Sequence, residues 1–427
     1  MKNAQVRSYI DKEKIKAREA FKELLKEHQN GKTDTSNFCA APFAHMYVHS
    51  NEGQRVCCMS TEYNVVEDDT ELDLKKRWSN DYYKEFRKKF LRNEQPDVCV
   101  KCYNLEKAGG RSDRINFNAM YSTKIEPNIE TGNQWNAPID IDVRPGNLCN
   151  LKCRMCGPVS SSILEKEVNE NEIIARFLGP KNIKKTDMLM DANNQEFLYS
   201  AVDKGQRIKF LGGEPTIMPE IDKTLDLLLE KGFNKVPLHF TTNCTNHNKR
   251  FLDKISKFKN ISFNYSVDGT GSVVEYIRTP VKFKTIDKTI RLYHELVKDN
   301  VSEISFTWQA YNLFNLYDTV VWAKSIGITI RPELLRQPEW ASIRNIPLSI
   351  RTPYIYSLIK KIEPWKDRYS NRVVPALYQM MNDKEEYNPI HLARATKSFD
   401  KVRKQHIKDY IPEVYEIIKK DYDDLQV

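Results

Sequence analysis

The hydrophobic pattern of this chain changes near residue 138, where short runs of apolar and β-branched residues begin to alternate with helical patterns. The runs that predict strands are IDIDV, RIKFL, VPLHFT, ISFNYSV, EISFTW and ITIRPELL, the last of which ends near residue 335. Alternating βα units are the sequence signature of a parallel sheet. Six units are fewer than the eight of a closed barrel, so the pattern predicts an α/β fold with an open, partial (β/α)6 barrel.

Helical patterns flank this region. Residues 1–30 form a charged amphipathic pattern that stops at an Asn-Gly pair, and the chain after residue 335 is charged and helical. Between residues 38 and 110, FAHMYVHSNEGQRVCC predicts a β-hairpin, and LDLKKRWSNDYYKEFRKKFL predicts one helix. We therefore expect an N-terminal helix at 1–37, a cysteine-rich α+β module at 38–115, the partial barrel at 135–340 and a helical C-terminal extension at 341–427.

Composition narrows the class of protein. With 40% hydrophobic residues, the 427-residue chain can bury a sizeable core, but no stretch approaches the roughly 18 to 20 apolar residues of a membrane span. The N-terminus lacks the apolar region of a secretory signal, so we expect a cytoplasmic protein without a membrane partner. The net charge of +9 comes from 67 basic and 58 acidic residues that are interspersed, which argues against a nucleic-acid partner.

The nine cysteines carry the candidate chemistry. In a reducing compartment such residues favour metal binding or catalysis over disulfides. Cys149, Cys153 and Cys156 lie on a loop directly after the first predicted strand, at the strand end where α/β barrels build active sites. Three thiolates can hold three irons of a four-iron four-sulfur (4Fe-4S) cluster and leave the fourth iron open. A zinc site completed by a distant residue is the alternative.

The segment CNLKCRMC resembles the CxxxCxxC signature of the radical S-adenosylmethionine (SAM) superfamily, and the resemblance extends from about 138 to 335. In that family SAM chelates the open iron, and an electron from the reduced cluster cleaves SAM to a 5′-deoxyadenosyl radical that abstracts hydrogen from the substrate. The resemblance therefore implies a 4Fe-4S cluster, SAM, and an external electron donor such as flavodoxin or ferredoxin. The residue before the third cysteine is often aromatic in the family; here Met155 would border the adenine.

A glycine motif follows the second predicted strand. Gly212, Gly213 and Glu214 resemble the family's GGE motif, which binds the methionyl amino group of SAM. After the third strand, Cys244 replaces the glycine of the Thr-Asn-Gly turn that is frequent in the family. We interpret Cys244 as a small buried residue.

The fourth predicted strand ends in a second motif. Ser266, Asp268 and Arg278 resemble the SxDG…R segment of peptide- and protein-modifying family members. In those members the serine and arginine contact the methionyl end of SAM, and the arginine pairs with its carboxylate, which suits a guanidinium.

The upstream cysteines resemble the twitch module, a shortened relative of the SPASM domain, over about 38 to 106. The resemblance implies an auxiliary 4Fe-4S cluster on Cys39, Cys57, Cys99 and Cys102. Cys58 is the alternative to Cys57, because neighbours on a strand point to opposite faces. A structural zinc site would use the same four thiolates. In better-known members the module follows the barrel, whereas here it precedes it.

Together these patterns predict a radical SAM enzyme that modifies a peptide or protein, with the auxiliary cluster accepting an electron from the substrate or ligating it. One alternative is dehydrogenation or epimerisation of an amino-sugar or another small molecule. A third reading, from a different class, is a zinc-ribbon protein that binds nucleic acid. The pattern identifies no general acid or base, so the catalytic residues beyond the cofactor ligands stay unassigned.

Overall fold

The computed structural model describes residues 37–49, 55–60, 73–107, 112–130, 137–179, 188–202, 207–297 and 302–426. The predicted helix at 1–30 lies outside them. The described residues contain one seven-stranded sheet in the order β1 to β7. Its strands are β1 (His45–His49), β2 (Asp140–Arg144), β3 (Arg207–Phe210), β4 (Leu238–Thr242), β5 (Ile261–Ser266), β6 (Glu303–Trp308) and β7 (Thr329–Leu334).

The helices surround and follow these strands. In chain order they are α1 (Ala41–Ala44), α2 (Leu74–Ser79), α3 (Asp81–Leu91), α4 (Val100–Lys107), α5 (Asp113–Glu130), α6 (Ser162–Glu170), α7 (Glu172–Leu178), α8 (Ala192–Val202), α9 (Pro219–Glu230), α10 (Lys249–Ile255), α11 (Gly271–Ile277), α12 (Phe283–Leu296), α13 (Leu316–Ser325), α14 (Leu348–Ile362), α15 (Ser370–Asn382), α16 (Pro389–Arg403) and α17 (Pro412–Asp424).

The predicted α/β fold is confirmed, because the six predicted strands are β2 to β7 and the sheet is open, with β1 and β7 at its edges. The chain after β7 is helical, as predicted, in α14 to α17. The turn of the predicted hairpin lies outside the described residues. β1 pairs in parallel with β2, and its antiparallel pairing in the described residues is the single bridge between Tyr47 and Arg55. All five residues of β1 are buried, as expected for a strand covered on both faces.

Two helical segments are each interrupted at an asparagine. The segment predicted as one helix before Cys99 breaks at Asn80, whose side chain accepts a hydrogen bond from the N–H of Tyr83 at 3.0 Å and so begins α3. The helical segment after Cys156 breaks at Asn171, between α6 and α7. Asn80 thus acts as a helix cap, whereas the Asn171 side chain makes no capping hydrogen bond to α7 and donates to the Glu167 carbonyl at 2.8 Å.

The chain divides into two compact units, residues 1–145 with 185–209 and residues 146–184 with 210–427. The four-part division expected from the sequence is finer and stays a prediction. The first unit has a core of aromatic and aliphatic side chains that includes Phe38, Phe43 and Phe90. In this unit the buried Asp140 accepts hydrogen bonds from Arg207 at 2.8 and 2.7 Å and from Tyr121 at 2.6 Å.

The second unit contains β4 to β7, whose neighbouring strands pair in parallel. Side chains alternate along β5: Ile261, Phe263 and Tyr265 are buried, and the residues between them are half-buried. Phe263 stacks on Tyr293 of α12 with ring centroids 4.5 Å apart. This alternation directs the apolar side chains to the helices and the polar ones to the opposite face. Among the described helices, none is long and apolar enough to cross a membrane.

Candidate functional site

The loop Cys149–Cys156, called the cluster loop below, follows β2 and precedes α6. Its backbone is fixed from the segment after α11. The N–H of Lys152 donates to the carbonyl of Thr279, and the N–H of Arg154 donates to the carbonyl of Ile277, both at 2.8 Å. These two bonds hold the part of the loop that carries the middle cysteine.

The structure brings the three thiols of the cluster loop together. Cys149 and Cys153 are buried, Cys156 is half-buried, and their charges interact. Burial raises the pKa of the Cys149 thiol to about 11, so in the metal-free chain it is protonated at neutral pH and metal binding must release its proton. Arg278 Nη1 lies 3.9 Å from Cys153 Sγ, and Asn243 Nδ2 lies 3.8 Å from Cys149 Sγ. From the sequence, Asn243 is predicted only to belong to the turn after the third predicted strand.

The glycine motif after β3 packs on residues 146–148, which lead from β2 into the cluster loop. The N–H of Gly213 donates to the Gly146 carbonyl at 3.2 Å, and the N–H of Glu214 donates to the Leu148 carbonyl at 2.7 Å. A Cβ at Gly213 would lie 2.2 Å from the Leu148 oxygen, so this position excludes every side chain. Gly212 has a φ of 120°, which also favours glycine. The two glycines therefore let the motif approach the cluster loop closely.

The carboxylate of Glu214 is buried and links the ends of β3 and β4. It accepts hydrogen bonds from the hydroxyls of Thr216 and Thr242 at 2.6 and 2.7 Å and from the N–H of Asn243 at 2.6 Å. Burial raises the pKa of this carboxyl, and these hydrogen bonds oppose the shift. Glu214 thus fixes the turn that carries Asn243. Its role in binding the SAM amino group stays a prediction.

The motif after β5 forms a buried ion pair. Arg278 Nε donates to Asp268 Oδ2 at 2.7 Å, and the N–H of Thr307 donates to Asp268 Oδ1 at 2.8 Å. Asp268 therefore orients the guanidinium beside Cys153. Ser266, at the end of β5, and Met155, in the cluster loop, are half-buried.

Cys244 follows β4 and is completely buried, as the sequence predicts. Its φ is 61°, in the left-handed region that favours glycine. Glycine would therefore suit this backbone conformation better than the cysteine that occupies it.

In the first unit, four cysteines surround one cavity, which we call the auxiliary site. They are Cys39, Cys57, Cys99 and Cys102. They lie before α1, after the bridge at Arg55, at the end of a short 3-10 helix, and in α4. Burial raises the pKa of all four thiols, that of Cys99 to about 12. The donor set consists of four thiols, which fits either a closed 4Fe-4S cluster or tetrahedral zinc.

Cys58 has different neighbours from Cys57. Burial raises the pKa of the Cys58 thiol to about 12, and the charges that act on it most are those of Asp142 and Lys209. The Cys57 thiol interacts most strongly with the thiol of Cys58, and then with those of Cys39 and Cys99. Of the two neighbours, Cys57 is the one that lines the auxiliary site.

The segment that carries Cys39 is fixed by side chains of α5. Arg114 Nη1 donates to the Phe38 carbonyl at 2.7 Å, and Asn118 Nδ2 donates to the same oxygen at 3.0 Å. The N–H of Ala40 donates to Asn118 Oδ1 at 2.7 Å. Because both neighbours of Cys39 are held in this way, the thiol is preorganised for a ligand.

Two solved structures are among those to which this chain is similar. Streptococcus suis SuiB bound to S-adenosylmethionine matches with 17% identity and a TM-score of 0.39 over 65% of this chain and 62% of that chain. The structure described as native anSMEcpe with bound AdoMet and Cp18Cys peptide matches with 15% identity and a TM-score of 0.36, over 53% of this chain and 60% of that one. The alignments thus span less than two thirds of each relative.

No curated protein matches this chain. The model of the Radical SAM superfamily matches residues 143–307. This segment begins within β2, contains the cluster loop, the glycine motif and Arg278, and ends within β6. Residues 143–307 are therefore similar to the Radical SAM superfamily.

Proposed function

We propose that this chain is a radical SAM enzyme that modifies a peptide or protein. The observation that carries the proposal is the convergence of the three cluster-loop thiols with Arg278 and Asn243, 3.9 and 3.8 Å from two of the sulfurs. When bound, a reduced 4Fe-4S cluster would supply one electron to SAM, which would break a sulfonium C–S bond to give methionine and a 5′-deoxyadenosyl radical.

The chain's own residues would bind and orient these groups. Cys149, Cys153 and Cys156 would hold three irons, which leaves one position for SAM. Arg278 adds positive charge beside Cys153, where the carboxylate of SAM would need compensation. Asn243 would donate to the Cys149 sulfur, and such hydrogen bonds tune the reduction potential of clusters.

We assign the auxiliary site to a second 4Fe-4S cluster, held by Cys39, Cys57, Cys99 and Cys102. The proposal is supported by their shared cavity and by the resemblance of this segment to twitch modules. When bound, this cluster would supply a one-electron acceptor for the substrate, and the four cysteines would hold it. The peptide or protein substrate rests on the resemblance of the SxDG…R segment to that of peptide-modifying enzymes. An external donor such as flavodoxin or ferredoxin would restore the first electron.

Metal counting after anaerobic reconstitution tests both assignments. We expect about eight irons and eight sulfides per chain, because three and four thiolates each hold one four-iron cluster. Cys57→Ala should lose about four irons, whereas the matched variant Cys58→Ala should keep about eight. Equal loss in the two variants would contradict the ligand assignment. Zinc without iron in the unsubstituted chain would favour the zinc-ribbon alternative and contradict the enzyme.

A further inference from the structure

Arg154 lies between two cysteines of the cluster loop, yet its side chain points into the C-terminal helices. It is fully buried, and its Nη2 donates to Asp400 Oδ1 at 2.6 Å and to Gln405 Oε1 at 3.0 Å. Its guanidinium also lies 3.6 Å from the ring centroid of Tyr276. These partners compensate the buried charge and hold the guanidinium in this orientation.

Asp400, in α16, is the centre of this network. Its Oδ1 also accepts a hydrogen bond from the hydroxyl of Tyr276 at 2.8 Å. Its Oδ2 accepts from the hydroxyl of Tyr422 in α17 at 3.0 Å and from the N–H of Ile407 at 2.9 Å. Asp400 is only 2% exposed, so the carboxylate depends on these donors. Asp400 thus joins the C-terminal helices α16 and α17 to Arg154 of the cluster loop.

A second contact fixes the other neighbour of Cys153. Lys152 Nζ donates to Glu167 Oε1 at 2.6 Å, and Glu167 Oε2 accepts from Arg403 Nη2 of α16 at 2.6 Å. Gln405 also donates to the hydroxyl of Thr279 at 3.1 Å, the residue whose carbonyl receives the Lys152 N–H. The residues on both sides of Cys153 are therefore connected to the end of α16.

We propose that the C-terminal extension positions the Cys153 ligand, with Asp400 acting through Arg154 as the principal positioning residue and Gln405 as the second. The inference rests on the proposed function in one respect, that Cys153 binds iron. The sequence places Arg154 and Asp400 246 positions apart, and nothing in the family resemblance concerns α16. The role of the C-terminal extension would then be to hold the cluster loop in position.

Thiol alkylation of the full-length, metal-free chain tests this inference without a loaded cluster. Iodoacetamide labelling of each cysteine is followed by mass spectrometry at one pH. In Asp400→Asn we expect Cys153 to react at least about tenfold faster than in the parent chain, because the loop opens locally when the buried Arg154 loses its charged partner. Cys39, in the other unit, serves as the internal reference and should not change.

Two further variants make the result decisive. Asp383→Asn removes a carboxylate of the same extension that pairs with Arg344 at 2.9 Å, and it should leave Cys153 labelling unchanged. Gln405→Ala removes a half-buried partner of Arg154 and should accelerate Cys153 labelling by a smaller factor even if Asp400→Asn unfolds the chain. Unchanged Cys153 labelling in Gln405→Ala, or an equal acceleration in Asp383→Asn, would overturn the proposal.

A spectroscopic measurement separates this inference from the proposed function. In a chain that also carries Cys99→Ala and Cys102→Ala, the only cluster expected is that of the cluster loop. Its electron paramagnetic resonance signal after reduction should change in Gln405→Ala and stay unchanged in Asp383→Asn, because the ligand geometry tunes the cluster. If the parent chain holds no iron but the labelling results stand, the function fails and the positioning role survives. An unaltered signal in Gln405→Ala would contradict the positioning role.

Discussion

Replacing Cys149, Cys153 and Cys156 together by alanine should reduce 5′-deoxyadenosine formation to the background of a protein-free control. Substituting groups behind metal ligands already costs 10- to 100-fold in affinity or activity, so removing the three ligands should cost more than about 100-fold. The measurement is chromatographic detection of 5′-deoxyadenosine after anaerobic incubation of the reconstituted protein with SAM and dithionite.

The matched control for this experiment is Cys58→Ala, which removes a cysteine of the first unit that does not line the auxiliary site. It should cleave SAM at the parent rate. If the triple variant still formed 5′-deoxyadenosine at the parent rate, the cluster loop would not be the site of cleavage. A loss in both variants would instead indicate damage unrelated to the three ligands.

The second large effect is expected from Cys99→Ala combined with Cys102→Ala. These residues belong to the auxiliary site, so the cluster loop keeps its ligands and SAM cleavage should stay within about twofold of the parent rate. Product formation should fall at least about 100-fold, because a substrate radical that cannot transfer its electron does not proceed to product. The test compares 5′-deoxyadenosine with modified substrate in the same reaction.

The ratio of the two products distinguishes the roles that the auxiliary site can have. Abundant 5′-deoxyadenosine without modified substrate supports a site that accepts an electron from the substrate or ligates it. Normal product formation in the double variant would contradict that role and leave the site structural. Loss of both products would show that the two cysteines support folding or the first cluster. The reaction must be followed with a peptide and with an amino-sugar, because these are the substrate classes that the sequence leaves open.

The strands were predictable because the residue pattern that favours a strand lies within the strand itself. In β6 the predicted and observed residues coincide, Glu303–Trp308, since alternating β-branched and aromatic residues suit a pleated strand. For β1 the sequence predicted no parallel partner, for the opposite reason. Its partner, β2, lies about 95 residues later, as in the pairing of His45 with Asp140, and no local pattern encodes so distant a pairing. Asn80 and Asn171 ended helices that hydropathy alone would continue.

The sequence likewise predicts the part of the candidate site that depends on neighbouring residues. The spacing of Cys149, Cys153 and Cys156 predicts that their side chains lie close together, because all three belong to one short loop. The surrounding contacts depend on the tertiary fold. Asn243 beside Cys149, and Asp400 beside Arg154, come from elements far away in sequence, and neither residue carries a motif that identifies its partner. The motif that contains Glu214 predicts a contact with a ligand. It does not predict the hydrogen bonds of this carboxylate to Thr242 and Asn243.

The most direct test of the central claim is reductive cleavage of SAM by the unsubstituted chain. Anaerobically reconstituted protein is incubated with SAM and dithionite, and 5′-deoxyadenosine and methionine are quantified together. A radical SAM enzyme should form them in a ratio of about one to one, because breaking one C–S bond releases one of each. Absence of both products from protein that demonstrably contains a reducible 4Fe-4S cluster would contradict the account.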